Sequence, residues 1–169
     1  RYSLDLAQAE GGVISVTPTS DTFVEESVVT VNALPAKGYI FDGWTGALAG
    51  SDTPVTLVMD ADKGVGAQFS NPVPQIISIN LPTTALAKKA ATFNATVSDI
   101  DDDNLTLSWD LGDGTTKTGA IVTHTYQVNG EYNVTLTVTD SHGAKATGSA
   151  QLQVDDDFAI CCTVFGTGH

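Results

Sequence analysis

The stretch GEYNVTLTVT, Gly130–Thr139, decides the fold class. Tyr132, Val134, Leu136 and Val138 recur at every second position, with Asn133, Thr135 and Thr137 between them. That is the period of a strand with one buried face, and no helix of 3.6 residues per turn can keep such a set together. Working outward, Phe93, Ala95 and Val97 alternate with Asn94 and Thr96, and Leu105, Leu107, Trp109 and Leu111 alternate with Thr106, Ser108 and Asp110. Strands are expected near 76–80, 92–98, 105–111, 121–126, 131–139 and 147–154. So many short strands within about 80 residues predict a β-sandwich whose core is these three inward rows.

The segment SNPVPQ, Ser70–Gln75, carries two prolines two residues apart, which interrupts both helix and central-strand pairing. It reads as a linker, 70–75, of limited reach, roughly 20 Å at the polyproline rise. Before it, strands are expected at about 2–7, 13–17, 28–34, 39–44, 55–59 and 65–69. Val29, Val31 and Ala33 face one way and Thr30 and Asn32 the other, while turns fall at Glu10–Gly12, Ala36–Gly38 and Ala61–Lys63. The chain is thus expected to be all-β, with a small antiparallel domain (1–69), a linker, a sandwich (76–154) and a tail or onward segment (155–169).

Composition narrows the function. Seven basic against twenty acidic residues give a formal charge of −13. Such a surface repels nucleic acid and anionic membranes and favours cations. No apolar run approaches the roughly 18–20 residues of a membrane span, and RYSLDLAQAE at the start has no signal-peptide core, which reads as a segment of a larger or processed protein. The two cysteines, Cys161 and Cys162, are adjacent, so they supply no disulfide framework for the residues before them. A vicinal disulfide, a partner elsewhere and two inert thiols stay open.

Two motif sets carry resemblances. GGVISVTP, VVTVNALPAKGYIFDGWTG and PVTLVMDADKGVGAQF, across about 2–69, resemble the divergent internalin B-type bacterial repeat. SWDLGDGT, HTY and GEYNVTLTVTDSHG, with SDIDDD ahead of them, resemble across about 74–154 the PKD domain, the immunoglobulin-like module named from polycystic kidney disease protein. The resemblances imply an immunoglobulin-like sandwich after a small β repeat. They imply non-catalytic accessory modules of a secreted or surface-exposed bacterial protein, extracellular, at the cell surface or in the periplasm. Ala85–Lys89 departs from the second pattern, where the family often has a glycine turn; a short helical turn is expected there.

The densest charge is SDIDDDN, with Asp99, Asp101, Asp102 and Asp103 in five residues and no lysine or arginine among them. Unit charges about 4 Å apart interact by roughly 1 kcal/mol in water and about 4 at an effective dielectric of 20, so carboxylates pinched together need hydration or a cation. Asp99, Asp101 and Asp103 stand at alternate positions and project to one side of an extended loop; Ca²⁺ takes about 6–8 oxygens from flexible loops of this kind. An EF-hand is excluded because Leu105, Leu107 and Trp109 are needed for a strand. The resemblance adds Asn71, since PKD-like domains attached to bacterial collagenases bind calcium through this loop and the N-terminal linker. The plainer reading is a solvated acidic loop. Asp110 and Asp113 read as turn-formers, their carboxylates accepting backbone N–H groups beside Gly112 and Gly114.

Sugar recognition calls for exposed aromatic rings. Trp109, Tyr126 and Tyr132 fit core or corner positions. Tyr39 and Phe41 share a face by alternation and Trp44 follows a glycine, so these three are the candidate ligand platform, each with a core role as the plainer alternative. Catalysis has little basis in the sequence: no motif sets His124, His142 or His169 beside a serine or cysteine nucleophile with an orienting group, and no apolar pocket is expected to separate the pKa values of the loop carboxylates. Three sequons, at Asn94, Asn104 and Asn133, are ordinary for strands rich in outward Asn and Thr. Two functions result. One is a spacer beside neighbouring domains of the parent protein, stiffened by calcium. The other is a module that attaches a hydrolase to polysaccharide or to an extracellular protein such as collagen.

Overall fold

The computed structural model describes residues 1–7, 9–100 and 104–157. These fold without any helix into two compact units, one of Arg1–Gln75, Ser98–Leu105 and Thr139–Lys145, the other of Ile76–Val97, Thr106–Val138 and Ala146 onward. The tail beyond Asp157, with Cys161 and Cys162, lies outside the described residues.

The first unit contains β1 (Leu4–Leu6), β2 (Gly12–Thr17), β3 (Ser27–Pro35), β4 (Ile40–Gly46), β5 (Val55–Met59) and β6 (Lys63–Ser70). Two three-stranded sheets form, in the orders β2-β3-β5 and β1-β6-β4, with only the β1 to β6 pairing parallel. Their inner faces share one core: Val29, Val31, Ala33, Leu57 and Met59 from one sheet, Trp44, Val65 and Ala67 from the other. The alternation of Val29, Val31 and Ala33 is therefore the buried row of β3. Gly11 and Gly38 stand at φ +83° and +81° in the two turns expected to need glycine.

β4 breaks simple alternation. Its register against β6 shifts between Phe41 and Gly43, a bulge at Asp42. One extra residue turns the following side chains over, so Phe41 and Trp44 reach the same side and pack edge to face with centroids 4.9 Å apart.

Beyond the prolines come β7 (Gln75–Asn80), β8 (Ala85–Leu86), β9 (Ala90–Ser98), β10 (Thr106–Asp110), β11 (Thr116–Thr118), β12 (Ile121–Thr125), β13 (Gly130–Thr139) and β14 (Lys145–Asp155). They make a five-stranded sheet, β11-β10-β13-β14-β8, and a three-stranded one, β12-β9-β7. Across the sandwich, Phe93 of β9 meets Trp109 of β10 at 6.3 Å and Tyr126 at 6.4 Å. Val134, Leu136 and Val138 are fully buried, as their period requires. At Ala85–Lys89 the expected helical turn is replaced by the short β8 and a turn with Lys88 at φ 63°, its N–H donating to the Tyr126 carbonyl at 2.7 Å. A residue in left-handed conformation cannot continue a right-handed helix, which is why no helical turn forms there.

Candidate functional site

The WDLGDG stretch, Trp109–Gly114, shows what Asp110 and Asp113 do. Asp110 Oδ1 accepts the Gly112 N–H and Asp113 Oδ1 accepts the Thr115 N–H, each at 3.0 Å, while Gly112 and Gly114 take φ +79° and +86°. Both carboxylates are turn-formers. Asp113 also holds His124: its Oδ2 lies 2.7 Å from Nε2, with both side chains largely covered. Burial pushes the Asp113 carboxyl up, but the hydrogen bonds from His124 and from Thr115 outweigh it, and its pKa ends below the usual carboxylate value. Tyr126 packs edge-on against the His124 ring at 4.6 Å and donates its hydroxyl to the Leu111 carbonyl at 2.9 Å. Burial first, then the Asp113 charge, raises the Tyr126 pKa. This is a braced corner.

The aromatic trio is placed differently from a ligand platform. Trp44 is 6% exposed and donates its indole N–H to the Asp52 carbonyl at 2.8 Å, while its backbone N–H reaches Gly50 O at 2.8 Å. It staples the 47–54 loop to the core and offers no free ring face for stacking. Phe41 is half-buried between Trp44 and Phe69, centroids 5.7 Å apart in the second pair. Tyr39 is half-buried with its ring over Gly11, where a Cβ would come within 2.4 Å of the ring. Trp44 as a binding residue is corrected by the bulge, which sends its side chain inward.

The acidic loop behaves otherwise. Asp101 and Asp103 lie outside the described residues. Asp99, at the end of β9, has both carboxylate oxygens buried and no hydrogen-bond partner, and Asn71 Oδ1 is buried and unpartnered as well. Asp99 lines a concavity of about 460 Å³ together with Pro72, Val73 and Ile100, which brings the loop to the segment that carries Asn71. A third orphan is Asp140, 6% exposed: Oδ1 accepts the N–H groups of His142 and Ala144, both at 2.9 Å, and Oδ2 is buried with no partner. All three residues belong to the first unit. Asp140 was not a sequence candidate because Thr139-Asp140-Ser141 reads as a strand end and turn; only the burial of its second oxygen sets it apart. Among the described residues no three His, Cys, Asp or Glu side chains gather as a metal-holding group.

The described acceptors are hard oxygens, two carboxylates and one amide, and burying a carboxylate without a partner costs several kcal/mol. Hard oxygens suit Ca²⁺. They do not suit zinc, which prefers nitrogen and sulfur. By donor type these acceptors fit calcium and not zinc.

A sandwich of a five-stranded and a three-stranded sheet with a braced corner belongs to the class of immunoglobulin-like modules. Residues 71–155 match the family model of the PKD domain and residues 2–72 that of the divergent InlB B-repeat domain, so this chain belongs to the PKD domain family and carries a B-repeat ahead of it. Collagenase ColA of Clostridium perfringens is 35% identical over 80 residues, 47% of this chain and 7% of the collagenase. The pre-pro-metalloprotease PrtV of Vibrio cholerae is 42% identical over 65 residues, 38% of this chain and 7% of PrtV. The solved PKD1 domain of that metalloprotease is 35% identical, covers 50% of this chain and 99% of its own, and has a TM-score of 0.44. The chain thus spans less than a tenth of these curated relatives. No helix among the described residues is long and apolar enough to cross a membrane.

Proposed function

We propose that this chain is a pair of non-catalytic accessory modules of a larger extracellular or surface protein of a bacterium, and that its PKD module takes one Ca²⁺. Asp99, Asp140 and Asn71 would hold the ion, with Asp101 and Asp103 as the sequence suggests. The observation that carries this reading is the set of buried acceptors without donors at Asp99, Asp140 and Asn71. Bound there, calcium supplies the positive charge that the loop lacks and ties the acidic loop to the Asn71 segment. The chain's own residues do the rest: Asp140 keeps one oxygen on the 140–144 turn and leaves the other for the ion, so ion and turn stabilise each other. The modules then act as a spacer beside neighbouring domains of the parent protein.

A native state that binds calcium at 100 times its Kd gains about 2.7 kcal/mol, which moves the melting temperature of a domain this size by roughly 10–20 °C. Millimolar Ca²⁺ is expected to raise the PKD transition and equal Mg²⁺ to leave it nearly unmoved. Equal shifts with both ions, or none, would return the loop to the solvated reading.

Attachment of a hydrolase to collagen or another insoluble polymer is the second reading, favoured by the collagenase and metalloprotease relatives. Retention on insoluble collagen or polysaccharide, lost in EDTA, would support it; passage through every matrix would leave the spacer.

A further inference from the structure

We propose that the open seam between β1 and β2 in the first unit is a docking site for an extended peptide of alternating apolar residues with basic flanks, which binds by adding a strand. This goes beyond the calcium reading and does not rest on it. β1 stands at the edge of one sheet and β2 at the edge of the other; two residues before Leu4, Tyr2 is bridged to Phe23 by two backbone hydrogen bonds, and along Leu4–Leu6 and Gly12–Thr17 neither strand has a partner strand on its outer side. Between them lies a groove of about 450 Å³ lined by Leu4, Leu6, Ile14, Val16 and Phe23, with Asp21 at its rim. Leu6 remains 38% exposed at this seam, while Phe23 at its floor is buried.

The backbone points the same way. Lys63 N–H donates to the Ser3 carbonyl and Ala7 N–H to the Val65 carbonyl, so alternate residues of β1 face β6 and the amide groups of Leu4 and Leu6 face outward. On β2 the Gly11 carbonyl accepts Ala36 N–H, which turns the amides of Ile14 and Val16 to the free edge by the same alternation. Leu4, Leu6, Ile14 and Val16 each give the groove a side chain and turn their backbone groups to the free edge, while Phe23 closes the Tyr2 end through its own backbone pairing. Strand addition needs both features: main-chain bonds give affinity and pockets for every second side chain give selectivity. Natural sheets block exposed edges with short strands, charges, lysine, proline or bulges; β1 has three residues and one charge, Asp5, while Ile14 and Val16 on the β2 edge have no lysine, proline or bulge. Asp21 at the rim and the net charge of −13 favour basic flanks on the incoming segment, and Arg1, which donates to Thr22 Oγ1 at 3.3 Å, is the basic residue beside it.

The test uses the whole chain and a fluorescent heptapeptide of alternating valine and threonine with an arginine at each end. A twin peptide is N-methylated at alternate amides on one edge, which keeps the side chains but removes donors. Saturable binding tighter than about 1 mM is expected, weakened at least about tenfold by N-methylation. Leu6→Pro removes one outward N–H without touching the β1 to β6 ladder, a position where edge strands tolerate proline; it should weaken binding to the same extent at an unchanged melting temperature. Should that variant fail to fold, Leu6→Lys, which charges the groove mouth and keeps the backbone donors, is expected to weaken binding of this dibasic peptide. No binding by the native chain, or equal binding of the methylated twin, would overturn the proposal.

Discussion

Gly112 and Gly114 of the WDLGDG turn share nearly the same backbone, φ +79° and +86°, yet differ in what surrounds them. A Cβ on Gly112 would lie 2.8 Å from the Asn133 carbonyl oxygen and 3.0 Å from its nitrogen, whereas one on Gly114 would meet nothing within 4 Å. Alanine at either site incurs the left-handed strain, about 1–2 kcal/mol. At Gly112 it must also push against strand backbone beside the fully buried Val134, an overpacking cost of about 1–3 kcal/mol. Gly114→Ala should therefore lose about 1–2 kcal/mol and Gly112→Ala about 2–5 kcal/mol. Urea unfolding followed by Trp109 fluorescence in a Trp44→Phe background reads both. Equal losses would refute the close approach of the turn to β13; a neutral Gly114→Ala would refute the strain.

Other outcomes follow from the same geometry. Trp44→Ala empties the core of the first unit and frees the 47–54 loop, and should cost about 3–5 kcal/mol in thermal or urea unfolding, against a near-neutral result if Trp44 were a surface platform. Lys88→Gly keeps the N–H bond to Tyr126 and relieves the left-handed strain, so the PKD transition should gain about 0.5–1 kcal/mol. The depressed pKa of Asp113 sets a pH dependence. Its contribution is fully present above the unfolded carboxylate value of about 3.9 and is lost as pH falls through the lower folded value. Asp113→Asn should flatten the fall in urea midpoint below about pH 4, and an unchanged slope would remove Asp113 from the account.

Much of the fold was legible because β-branched residues alternate cleanly. Val55–Met59 was read to the residue, and the inward rows at Phe93, Trp109 and Val134 face the sandwich interior. The shortest elements were not legible. β8 has two residues, and β11, Thr116–Thr118, carries no apolar side chain to set a period. For Trp44 the core alternative holds for a local reason: parity separates Phe41 from Trp44, and the bulge at Asp42 reverses that parity. Asp99 and Asn71 were visible as acidic-loop and linker residues, while Asp140 was hidden, since a turn-forming aspartate and an orphaned one have the same sequence.

Calorimetric titration of the chelator-stripped chain with CaCl₂ tests the central claim most directly. One site per chain is expected, with tenfold Mg²⁺ failing to compete. Asp99→Asn and Asp140→Asn should each weaken binding by at least about tenfold, or about 1.4 kcal/mol. Absence of saturable binding, or variants that titrate like the native chain, would contradict the assignment of these buried oxygens to a calcium ion.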